Sequence, residues 1–112
     1  MSKDDYFVIA YRLLTYLYAC LKKSKLADQD ILTAEYFGVG APYWDYIIQN
    51  LYQDGYIAGV KLATCFGMMP EPKVIIQPSI TITPKGIQYL SENSMFERVK
   101  AMAKDIVALI PV

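Results

Sequence analysis

Two stretches constrain this chain more than anything else in it. Ile47-Ile48-Gln49-Asn50-Leu51-Tyr52-Gln53-Asp54-Gly55 carries apolar residues at helical spacing and closes on Asp-Gly, and Tyr56-Ile57-Ala58-Gly59-Val60 follows with strand-forming residues. Further on, Ile80-Thr81-Ile82 reads as a strand running into Thr83-Pro84-Lys85-Gly86-Ile87-Gln88-Tyr89-Leu90, a helix with a threonine cap and proline in its first turn. The order helix, strand, turn, strand, helix closes most simply when the strands pair antiparallel as a flap beside the preceding helix. That is the order of a winged helix-turn-helix. The expected fold class is α+β, a winged helix with three N-terminal helices, a β-wing and two C-terminal helices, in one domain over residues 1–112.

Asp4 and Asp5 stand as N-caps of a first helix over about Tyr6 to Lys23, with Lys22, Lys23 and Lys25 favourable at its negative end. On a helical wheel Asp5, Val8, Arg12, Thr15, Ala19 and Lys22 share a mostly polar strip. Phe7, Ala10, Leu14, Leu17 and Leu21 make one apolar strip, and Ile9, Leu13, Tyr16 and Cys20 another. Together the apolar strips cover roughly 220° of circumference, far wider than the ~100° a surface helix needs. Either the domain wraps this helix from two sides or a partner covers one strip.

Asp28 to Phe37 reads as a short second helix, with Asp30 or Thr33 as cap and Gly38 past its end. Gly40-Ala41-Pro42 opens the third helix, which directs Trp44, Ile47, Ile48 and Leu51 inward. Tyr56 to Leu62 forms a strand, Ala63 to Pro72 a turn region, and Lys73 to Gln77 the returning strand, with Pro78 interrupting the ladder before Ile80. Thr83 caps a helix from Pro84 to about Glu92. Ser94-Met95-Phe96-Glu97 is a capping box for a last helix over about Met95 to Ile110, whose apolar stripe includes Phe96, Val99, Met102, Ile106 and Leu109.

The composition removes whole classes of chemistry. Histidine is absent, so neither a Ser-His-Asp or Cys-His nucleophile nor a His-ligated zinc can be built. Cys20 and Cys65 are isolated, without metal or redox spacing. Asp4-Asp5 and Asp28 with Asp30 suit caps better than an acid–base pair. No catalytic residue, metal or cofactor is expected. Lys3 is outweighed by Asp4 and Asp5, and Arg12 interrupts the apolar run, so the first helix reads as neither signal peptide nor membrane span. A cytoplasmic protein with reduced thiols is the expectation.

Four groups of residues carry a family resemblance: Lys3-Asp4-Asp5-Tyr6; Tyr43-Trp44 with Ile47-Ile48 ahead of Gly55-Tyr56-Ile57; Ile82-Thr83-Pro84-Lys85-Gly86-Ile87 with Tyr89-Leu90; and Asn93-Ser94-Met95. On these the chain resembles the YjcQ-like family of small winged-helix proteins, found in Gram-positive bacteria and often among prophage or mobile-element genes. The resemblance runs from Lys3 to Pro111 and is least over Ala63 to Ser79. It implies a fold, and it brings no catalytic or ligand residues with it.

Function then turns on what the third helix shows to the outside. Its outer positions are Tyr43, Tyr46, Gln49, Asn50 and Gln53, types that can read adenine edges or reach phosphate. Yet no lysine or arginine lies between Pro42 and Gly55, while Asp45 and Asp54 add negative charge. Lysine plus arginine and aspartate plus glutamate both total 11, so no global field draws the protein to DNA. Lys61, Lys73 and Lys85 would have to supply the phosphate contacts. A DNA-binding, regulator-like winged helix acting on double-stranded DNA is the reading that fold analogy favours. A winged helix used for protein–protein contact is the reading that charge favours, and 10 tyrosines in 112 residues suit it. A homodimer joining Phe7, Leu14 and Leu17 of the first helix to Val99, Met102, Ile106 and Leu109 of the last would bury both apolar surpluses; the alternative packs those helices together within one chain.

Overall fold

The chain folds around its first helix. In the computed structural model, whose described residues are 5–64, 72–93 and 97–110, α1 spans Tyr6–Lys22. Side chains are described for the same residues apart from 63, 64, 72, 73, 97–99 and 102. The Asp5 carboxylate accepts from the Phe7 N–H at 3.1 Å and caps the helix, as its position predicts. From Val8 to Cys20 only Arg12, Thr15 and Tyr18 escape full burial. Helices α3 (Ala41–Gln53), α4 (Pro84–Glu92) and α5 (Glu97–Val107), with strand β2 (Pro72–Ile82), all pack on α1. The middle of the wide apolar arc is therefore enclosed by the chain's own elements, while Phe7 and Leu21 at its two ends stay exposed.

The middle of the strip expected to be polar is covered too, though Asp5 and Lys22 at its ends are exposed. Val8 and Ala19 are buried, and the Arg12 guanidinium lies 5.1 Å over the Phe37 ring. Phe37 in turn stacks on Trp44, with centroids 5.0 Å apart and planes at 23°. Trp44, Ile47, Ile48 and Leu51 are all buried, so α3 turns inward the face its spacing assigns to the core.

The second helix is much shorter than its sequence suggests. α2 is Ala34–Phe37, four residues capped by Thr33, whose Oγ1 accepts from the Tyr36 N–H. Asp28 explains the difference. Its carboxylate accepts from the Asp30 N–H at 2.9 Å and its carbonyl from Ile31 and Leu32, a turn that competes with helix. The Asp28 N–H is itself engaged, donating to the Tyr16 hydroxyl at 2.9 Å.

Strands β1 (Ile57–Thr64) and β2 pair antiparallel as a two-stranded flap. The ladder runs Ile57↔Ile82 and Ala58↔Thr81, then resumes at Val60↔Ile76, so residues 77–80 face Gly59 alone. Pro78 falls in that irregularity, where its missing N–H costs no ladder bond. Gly59 has φ +85°, and a Cβ there would sit 2.6 Å from the Ile80 Cα. Only glycine fits. α4 begins at the expected place: Thr83 Oγ1 accepts from the Gly86 N–H at 3.2 Å and donates to the Gly55 carbonyl. α5 ends at Val107, short of the Ile110 expected of it, and its proposed start and capping box at 94–96 lie outside the described residues, as do Asp4 and Cys65.

Tyr16 gives the core a pH dependence. Burial pushes its phenol up to about 12. An unfolded tyrosine ionises near ~10, so the unfolded chain releases its proton first and stability falls as pH rises from ~10 to ~12. Burial pushes Tyr6, Tyr89 and Cys20 upward as well. The urea midpoint is expected to drop across that alkaline window. In Tyr16→Phe, weaker at neutral pH for want of the bond to Asp28, the drop should be shallower; an equal drop would show that Tyr16 is not its source.

Candidate docking surface

The outer face of α3 is built from phenols and amides. Tyr46 is 57% exposed and Gln53 is exposed, whereas Tyr43, Gln49 and Asn50 are half-buried. The Asn50 side-chain N–H donates to the Tyr46 carbonyl one turn earlier at 2.7 Å, so that amide is already engaged with the helix. Tyr46 does not stand alone. The Tyr6 ring at the start of α1 meets it edge-on with centroids 6.2 Å apart, and Tyr6 meets Phe7 at 5.5 Å. Phe7 is 64% exposed, a large apolar ring left in water.

A second aromatic pair adjoins the first. Tyr56, ahead of β1, and Tyr89 of α4 have centroids 5.1 Å apart. The Tyr6 phenol links the two pairs: burial first, then the negative charge of Asp54 and the neighbouring phenols of Tyr46, Tyr89 and Tyr56, push it above the usual tyrosine range. A shallow depression of about 150 Å³ lies beside Tyr56 and Tyr89, lined also by Lys85, Gln88 and Glu92.

Of the cations expected to meet phosphate, Lys85 reaches this face, over Tyr56. Lys85 donates from Nζ to the Asp54 carbonyl at 2.8 Å and lies 5.4 Å over the Tyr56 ring, so it closes the end of α3. Lys61 is exposed on β1. Lys73 pairs with Ala63 across the ladder, and its side chain lies outside the described residues. Asp5 at the Phe7 N–H, Asp54 close enough to act on the Tyr6 phenol, and Glu92 beside Tyr56 and Tyr89 leave the aromatic face acid-rimmed. Sequence reasoning singled out Tyr43 and Tyr46 for this face and gave Phe7 to a dimer contact, but missed Tyr6, Tyr56 and Tyr89; the abundance of tyrosine was the one signal pointing to them.

The expected dimer surface needs correcting. Leu14, Leu17 and Ile106 have relative exposures of 0%, 1% and 0% within the single chain, so they are core and unavailable to a second copy. α5 packs on α1 within the same chain, as do α3, α4 and β2. Phe7 and Leu109 do reach the surface, and the side chains of Val99 and Met102 lie outside the described residues. Among the described residues no group of three or more His, Cys, Asp or Glu could hold a metal ion, and no helix is long and apolar enough to cross a membrane.

A family model described as YjcQ protein matches residues 11–108. The chain belongs to the YjcQ family. The matched stretch contains Tyr46, Tyr56 and Tyr89 of the YjcQ aromatic surface, while Tyr6 and Phe7 lie ahead of it. No curated protein and no solved structure matches the chain.

Proposed function

We propose that this YjcQ-family chain is a non-enzymatic winged-helix module that docks a protein, and that the outer face of α3 with its neighbouring tyrosines is the contact. One observation carries the reading. The face brings Tyr6, Phe7, Tyr46, Tyr56 and Tyr89 together beside Asp5, Asp54 and Glu92, and Lys85 at its edge is tied to the Asp54 carbonyl. Aromatic side chains supply large contact area at low entropic cost, and tyrosine is enriched among the residues that dominate protein interfaces. Phosphate offers no counterpart to an acid-rimmed surface of this kind. The complementary partner is a protein segment carrying arginine or lysine, whose cations meet carboxylates at the rim and ring faces at the centre.

A second reading keeps the regulator role. The short helix, the left-handed Gly38 junction, α3 and the flap stand in helix-turn-helix order, and Lys61 is exposed on the flap. It needs DNA to approach a face with carboxylates and without free cations from α3.

Amide NMR titration with an arginine-rich peptide separates the two. The peptide is expected to shift residues around Tyr6, Tyr46, Tyr56 and Tyr89, and Tyr46→Ala to weaken it by about tenfold or more, the scale of an interfacial aromatic anchor. Failure of the peptide to bind, or binding indifferent to Tyr46→Ala, would overturn the docking reading.

A further inference from the structure

On another part of the molecule, α1 and α5 leave a groove of about 660 Å³ between them. Its volume falls within the range of small-molecule sites, ~300–1,000 Å³. Tyr11, Ala103, Val107 and Ile110 give it an apolar lining, and Lys23, Lys100 and Lys104 stand around that lining. Lys23 and Lys104 are exposed, so their stems extend the apolar wall while their ammonium groups stay in water. Among the described residues no carboxylate lines the groove. Thr15 also lines it, and the Thr15 Oγ1 is sheltered from solvent with no hydrogen-bond partner among the described residues. A sheltered hydroxyl without a partner is unfavourable, and threonine in a helix has two accessible χ1 rotamers through which it can turn to meet an occupant.

We propose that this groove binds a monomeric anionic amphiphile, an alkyl chain ending in one carboxylate. The chain lies along the apolar lining between the two helices, and the carboxylate is held by Lys23 and Lys104. Charge chooses this occupant over a second copy of the protein. A two-fold pairing through the groove would bring the lysines of one copy toward the same lysines of the other, a like-charge contact. An uncharged alkane would leave Lys23 and Lys104 unused, and a cationic amphiphile would be repelled by them.

Calorimetric titration with dodecanoate, below its micelle concentration, tests the proposal, with dodecyltrimethylammonium as the head-group control. Saturable one-to-one binding of the carboxylate alone is expected, with amide NMR shifts confined to residues 11–23 and 100–110. Lys23→Glu combined with Lys104→Glu should weaken binding by about tenfold or more, since both cations become repulsive at close range. Ala108→Trp, at an exposed lining position, should block the groove while the circular dichroism spectrum stays unchanged. Absence of dodecanoate binding, equal binding of the ammonium compound, or binding that survives both variants would overturn it.

Discussion

Leu14→Ala is expected to lower the unfolding free energy by about 2–5 kcal/mol, the range for truncating a fully buried leucine. Leu14 has no exposed surface in the single chain, and its neighbours on α1 are enclosed by α3, α4, α5 and β2. Elements anchored on several sides cannot collapse fully into the space left, so the cavity cost adds to the lost transfer free energy. The same variant tests where the leucine sits. A core residue gives a loss independent of protein concentration, read as a shift in the urea midpoint. If Leu14 instead joined two copies, the midpoint would move with concentration and sedimentation of the parent protein would report a dimer. A single-chain mass at micromolar concentration is the expected companion result.

Gly86→Ala should reverse the usual effect of replacing a helical glycine. In an exposed helix interior the change gains about 1 kcal/mol. Here Gly86 is buried in the first turn of α4, and a Cβ would lie 2.6 Å from the Ile82 Cγ1 and closer still to the Tyr56 carbonyl oxygen. That oxygen accepts the Thr83 N–H, which fixes the entry to α4, so the backbone has little room to yield. A loss of about 2–3 kcal/mol is expected from overpacking. Gly38→Ala is the contrasting case. Its φ of +71° brings strain, but a Cβ would meet nothing within 4 Å, so only the left-handed cost of about 1–2 kcal/mol applies. Thermal unfolding of the two variants side by side reads the difference; a neutral Gly86→Ala would contradict the tight approach of α4 to the flap.

The parts of the fold legible in the sequence were those fixed by local chemistry. Thr83 followed by Pro84 set the start of α4, Asp5 set the start of α1, and Pro78 marked the break in the ladder, because caps and proline act through their own backbone neighbours. The second helix was misjudged where two local rules compete: Asp28 can start a helix or hold a turn, and contact with Tyr16 favours the turn. The width of the apolar arc on α1 was visible from spacing, but not what covers it, since α5 arrives from the far end of the sequence.

Legibility of the docking surface followed the same division. The inward and outward faces of α3 are separable by periodicity alone, as buried Trp44 and exposed Tyr46 illustrate. The meeting of Tyr6, Tyr46, Tyr56 and Tyr89 is not, because it joins residues from α1, α3, the entry to β1 and α4. The role of Lys85 was equally hidden. Its charge suggested phosphate, and only the approach of α4 to the end of α3 turns that charge onto the Asp54 carbonyl.

Affinity for a mixed-sequence DNA duplex at about 50 mM and then about 200 mM salt bears most directly on the character of the α3 face. The acid-rimmed, tyrosine-rich surface predicts no measurable complex at the lower salt, and no change when Lys61, Lys73 and Lys85 are replaced by alanine. A complex that forms at low salt, weakens steeply at the higher salt and is lost with those three lysines would contradict it.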